Sequence, residues 1–74
     1  MIKKINKILK SAPFNLKEEI NENSEIKELP GWDSLKHLMF LVEIEKKFKI
    51  EMSPEEISLI IFVKDLIKKI KNGN

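Results

Sequence analysis

Apolar residues recur at helical spacing in three separate stretches of this chain, and proline or glycine fences the stretches apart. Ile2, Ile5, Ile8 and Leu9 form the first set. Leu35, Leu38, Leu41, Val42 and Phe48 form one side of the second, widened by Phe40 and Ile44. Val63, Leu66, Ile67 and Ile70 form the third. Side chains three and four positions apart share one face of an α-helix, so each set predicts an amphipathic helix. The fold class that follows is all-α: a small bundle of three major helices and one short helix, with a long first loop.

Local signals set the boundaries. The first helix spans residues 2–10, with Lys3, Lys4, Lys7 and Lys10 off its apolar face and Pro13 as the stop. Residues 11–33 form a connection longer than compact domains usually carry without regular structure. Its apolar anchors, Phe14, Leu16, Ile20, Ile26 and Leu29, predict that it packs over the core, with a helical turn at "LKEEI". "LPGW" predicts a tight turn, Pro30 fixing one dihedral and Gly31 taking a positive φ. The main helix covers residues 34–47, with Asp33 as N-cap and Met39 near the edge of the apolar side. Ser53 followed by Glu56 matches a capping box, and Pro54 suits the first helical position. Ile57, Ile60 and Ile61 share a phase that Val63, Leu66, Ile67 and Ile70 do not, so a slip near Phe62 predicts two helices here. Lysines close the last one, and Gly73 suits its stop.

With 74 residues the chain makes a single domain, residues 1–74. A chain of this size buries only about 60% of the surface its unfolded form exposes. A composition that is 42% hydrophobic supports one small core and no deep catalytic cavity. The absence of cysteine excludes disulfides and thiolate metal sites and fits a reducing, cytoplasmic setting. The lysine-rich start lacks the continuous apolar segment of a secretory leader, so none is expected. Apolar runs such as "LIIFV" reach five residues, far below the roughly 18 of a membrane span, so no membrane insertion is expected. All 14 basic residues are lysine, although the net charge is only +2. Reading base edges or gripping phosphate in a fork calls on arginine, so the composition disfavours a nucleic-acid partner.

Few residues offer chemistry. His37, the sole histidine, lies three positions after Ser34, which raises a nucleophile–base pair. No third group orients the imidazole, and a solvated or partly packed histidine is the simpler reading. No ligand spacing points to a metal. Gly31 and Gly73 are too far apart for a phosphate-cradling loop. Glu18/Glu19 and Glu55/Glu56 read as a solvated loop and a helix start. The lysine stripe on the first helix reads as a solvated face, with contact to an acidic partner or membrane as the other option.

Ser34 remains, inside a Gly-x-Asp-Ser-Leu turn that follows a long anchored loop. The stretch "GWDSLKHLMFLVEIEKKFKIEMSPEEI" and then "VKDLIKKI" resembles the acyl carrier protein family. The shared features are that turn, an apolar helix ending in Glu-x-x-Phe-x-Ile, an acidic short helix, and Val-x-Asp before a final amphipathic helix. The likeness runs without a gap from Leu29 to Ile70 and more loosely over the first helix. It implies a right-handed bundle and a 4′-phosphopantetheine arm joined through a phosphodiester to Ser34. A separate phosphopantetheinyl transferase would take the arm from coenzyme A with magnesium, and acyl or aminoacyl groups would ride on its thiol. Asp33 would cap the helix and help present the serine, and Leu35 would contact the transferase. The chain would be a monomeric carrier served by loading and transferring enzymes, with no catalytic residues of its own.

The chain departs from that family in charge and bulk. Lys36, Met39 and Lys46 stand where the pattern has acids, although Glu43 and Glu45 remain. Trp32 replaces a small residue, and Ile61 and Phe62 replace hydroxyl-bearing ones. Weakened acidity would lower attraction to basic partner grooves and favours a specialised pathway over bulk fatty-acid synthesis. Trp32, Met39, Val42 and Ile61 are expected to form an apolar patch for a dedicated partner, unless they pack inward. The alternatives are a small basic nucleic-acid-binding module and a carrier-like domain that only binds proteins.

Overall fold

The structure is a computed structural model that describes residues 1–72. Four α-helices appear in it: α1 (Ile2–Lys10), α2 (Ser34–Phe48), α3 (Pro54–Leu59) and α4 (Val63–Asn72). Among the described residues there is no strand, only one isolated antiparallel bridge between Glu25 and Phe62. The chain is thus an all-α small bundle of three major helices and one short one. The expected stop at Gly73 lies outside the described residues.

The core draws on every segment except α3 proper. Ile5 and Leu9 come from α1, Ile26 from the loop, Phe40, Leu41 and Ile44 from α2, and Val63 and Leu66 from α4, all with no exposed surface. Full burial of one such side chain contributes about 1.5–3 kcal/mol. Helix α3 buries none of its own residues and leans on the bundle through Ile57 and the buried Ile60 just beyond it.

The buried side of α2 matches the expected one at Phe40, Leu41 and Ile44 but departs from it at Leu35 and Leu38. His37, Phe40, Leu41 and Ile44 face inward, while Leu35 and Leu38 are 64% and 48% exposed. Apolar residues cover more of this helix than the stripe a small bundle can bury, so packing neighbours choose the face.

The loop of residues 11–33 does pack over the core, burying Leu16, Ile20 and Ile26. Its "LKEEI" segment is not a helical turn. Leu16 N–H donates to Leu9 O at 2.8 Å and Ile20 N–H to Asn6 Oδ1 at 2.9 Å, which takes amides a local turn would use. The loop's helical turn is instead a 3₁₀ turn at Ile26–Glu28. Both ends of the loop meet over α2, where Phe14 stacks on Trp32 (5.5 Å between centroids) and both rings set edges against Phe40.

Two motifs noted in the sequence turn out to have structural work. In Glu-x-x-Phe-x-Ile, the Glu45 carbonyl takes Ile50 N–H at 3.1 Å and its carboxylate takes Met52 N–H at 2.8 Å, so one residue closes α2 and starts the next segment. In Val-x-Asp, Asp65 Oδ2 accepts Phe62 N–H at 2.9 Å and caps the start of α4. Loop carbonyls finish that cap: Ser24 O accepts Val63 N–H and Glu22 O accepts Lys64 N–H. The Ser53–Glu56 capping box is complete, and Lys69 ties Glu56 to α4 at 2.7 Å. That lysine first, and Ser53 N–H second, hold the Glu56 carboxyl below the usual carboxylate range.

Candidate functional site around Ser34

The chain enters α2 through a tight turn. Trp32 N–H donates to Leu29 O at 3.1 Å, with Gly31 at φ +69°, where a side chain would be strained. Asp33 then adopts an extended backbone, and its Oδ1 accepts Lys36 N–H at 2.8 Å. This cap fixes where the helix begins and makes Ser34 its first residue. Lys36 folds back so that its Nζ donates to Gly31 O at 2.9 Å.

Ser34 is exposed, and its hydroxyl makes no hydrogen bond among the described residues. It borders a shallow depression of about 180 Å³ shared with Lys27, Trp32, Asp33 and His37. The Ser34 and Leu35 amides, the positive end of the α2 dipole and Lys27 favour an anion here, against the Asp33 carboxylate that borders the same depression. A phosphodiester on Ser34 Oγ would sit in that field without disturbing an internal bond, so these residues fit such a group.

His37 does not serve Ser34 as a base. It is buried, 5% exposed, and its Nε2 lies 3.2 Å from the Ile57 carbonyl on α3. A carbonyl only accepts, so the proton sits on Nε2 and Nδ1 is left as the acceptor. Nδ1 faces the indole Nε1–H of Trp32 in a long contact of 3.5 Å. Burial pushes the imidazole below its ordinary value, against the bond to Ile57 O, and the Lys27 charge pushes the same way as burial. The histidine is a neutral strut between the turn, α2 and α3.

The other residues singled out in the sequence divide among three places. Trp32 and Asp33 border the depression beside Ser34, with Trp32 half-buried in the aromatic triangle. Leu35 projects into water next to Ser34 rather than into the core. Met39 and Val42 line a separate groove between α1 and α2. Ile61 is 47% exposed on the α3–α4 link, where its carbonyl takes Ile26 N–H at 2.9 Å. Sequence reasoning missed Lys27 beside Ser34 and the exposure of Leu38 one turn along from it. The surplus of apolar residues on α2 was the available signal for Leu38; nothing marks Lys27, which reaches the site only through the 3₁₀ turn.

No helix among the described residues is long and apolar enough to cross a membrane. No group of three or more His, Cys, Asp or Glu among them converges in a way that would hold a metal ion. Compared with models of known protein families, the chain matches none.

Proposed function

We propose that this chain is a carrier protein of the acyl-carrier type, with Ser34 Oγ as the attachment point for 4′-phosphopantetheine. The observation that carries the reading is the Ser34 hydroxyl: exposed, without an internal partner, and set by the Asp33 cap at the first position of α2. When attached, the arm supplies a thiol for holding acyl or aminoacyl groups as thioesters, which this cysteine-free chain lacks. The chain's own residues do the presenting. Asp33 holds the helix start, the Gly31 turn brings the loop to it, and the exposed Leu35 gives a transferase an apolar contact beside the hydroxyl. A phosphopantetheinyl transferase would move the arm from coenzyme A, the nucleotide half leaving as the Ser34 O–P bond forms. With His37 Nδ1 turned to Trp32, the base for that step comes from the transferase.

In this reading the chain is a monomeric tether for other enzymes in a reducing cytoplasm, and not itself an enzyme. Lys36, Met39 and Lys46 on α2 favour acyl- or aminoacyl-handling enzymes of a specialised biosynthetic pathway over bulk fatty-acid synthesis. Intact mass after incubation with coenzyme A, magnesium and a broad-specificity transferase tests the proposal. The expected result is one added phosphopantetheine on wild type and none on Ser34→Ala. A wild-type chain left unmodified by several competent transferases would refute it and favour a plain protein-binding domain.

A further inference from the structure

Between α1 and α2 runs an open groove of about 600 Å³ in which Ser34 has no part. Its floor is apolar, built mainly from Ile8, Phe14, Leu38, Met39 and Val42. Its rims are lysine: Lys4 and Lys7 from α1, Lys46 and Lys47 from α2, with Glu43 as the one acid in the lining. That acid does little to neutralise them. Glu43 and Lys46 are 3.9 Å apart with both side chains mostly in water, and such pairs contribute little. Lys4 leans over the Phe48 ring at 5.9 Å, and Lys7 meets no carboxylate among the described residues.

We propose that this groove docks an acidic amphipathic helix of a partner protein. Four cations against one anion, flanking an apolar floor, complement a helix whose apolar stripe is bordered by carboxylates. The stripe would lie on Leu38, Met39 and Val42, and the acids between the two lysine rims. Leu38, 48% exposed in the free chain, is apolar surface that such a helix would cover. The inference stands apart from the carrier reading, since a Ser34→Ala chain retains the whole groove.

The test titrates the full chain with a synthetic helix carrying leucines at i, i+3, i+4 and i+7 flanked by glutamates. The same peptide with lysines for glutamates, and vesicles of phosphatidylglycerol, serve as comparisons. Calorimetry measures affinity, and Trp32 fluorescence reports occupancy because Trp32 stacks on the groove residue Phe14. The acidic peptide is expected to bind at least about tenfold more tightly than the basic one and to weaken with salt. Joint Lys4→Glu and Lys7→Glu replacement, or Met39→Asp alone, should cost about tenfold in affinity with the helical circular dichroism unchanged. Equal affinity for both peptides, tighter binding to vesicles, self-association that excludes the peptide, or indifference to the lysine reversals would each overturn the proposal.

Discussion

Replacing Asn6 with alanine tests whether one buried amide holds the long loop that delivers Ser34. Asn6 Oδ1 accepts Ile20 N–H at 2.9 Å, and its Nδ2 donates to Ile20 O at 3.3 Å, so the side chain stands in for a strand partner. Asn6 and Ile20 are only 6% and 5% exposed. Truncation strands one donor and one acceptor, and a buried polar group left unpaired costs about 1–3 kcal/mol. The two together bound the loss at roughly 2–6 kcal/mol. A surface depression beside Asn6, lined also by Lys3, Lys7, Lys10 and Glu19, lets water reach the vacated space. The 3.3 Å bond is also the weaker of the two, so the low end applies, about 2 kcal/mol. For a domain of this length that corresponds to a fall in Tm of roughly 8–16 °C. Thermal and urea unfolding followed by circular dichroism measures the loss, and hydrogen exchange at the Ile20 amide locates it. A loss below about 0.5 kcal/mol, the scale of an ordinary surface substitution, would refute the reasoning. So would a wild-type Ile20 amide that exchanges as fast as a solvated one.

Two further perturbations probe the surroundings of Ser34. Asp33→Ala removes the cap on Lys36 N–H and should cost about 1 kcal/mol, while Asp33→Asn keeps an acceptor oxygen and most of the stability; equal losses in urea unfolding would count against the cap. His37 favours its neutral form when folded, so the unfolded chain takes up the proton first as pH falls through the ordinary value of 6.5. Stability from this group is therefore complete above 6.5 and declines below it, down to the depressed folded value. Wild type should lose stability relative to His37→Gln as pH drops below 6.5, and parallel curves for the two proteins would show that the burial is not felt.

Elements with local causes were legible in the sequence. The span of α1, the Asp33 cap, the Gly31 turn and the capping box at Ser53 all rest on contacts among residues a few positions apart. Hydrogen bonds to the nearest turn and the dihedral limits of proline and glycine act before any tertiary contact forms, so the chain's order of residues states them. The position of Ser34 at the head of α2 belongs to this group.

Other features depend on residues far apart in the chain. The inward face of α2 was settled by α1 and the loop, because its apolar residues run too far around the helix for periodicity to choose. Asn6 reads as one more polar residue until Ile20, 14 positions away, is brought against it. His37 becomes a buried strut only when the Ile57 carbonyl, 20 positions on, arrives to accept a hydrogen bond from its Nε2–H. The amides at the start of α4 are met by carbonyls of Glu22 and Ser24 in a loop that a helical pattern cannot place. The sequence by itself determined where α1, α2 and α3 start; the tertiary structure decided which sides the helices bury and what holds the loop. Burial and long-range hydrogen bonds depend on which surfaces meet, and a local pattern carries no record of that.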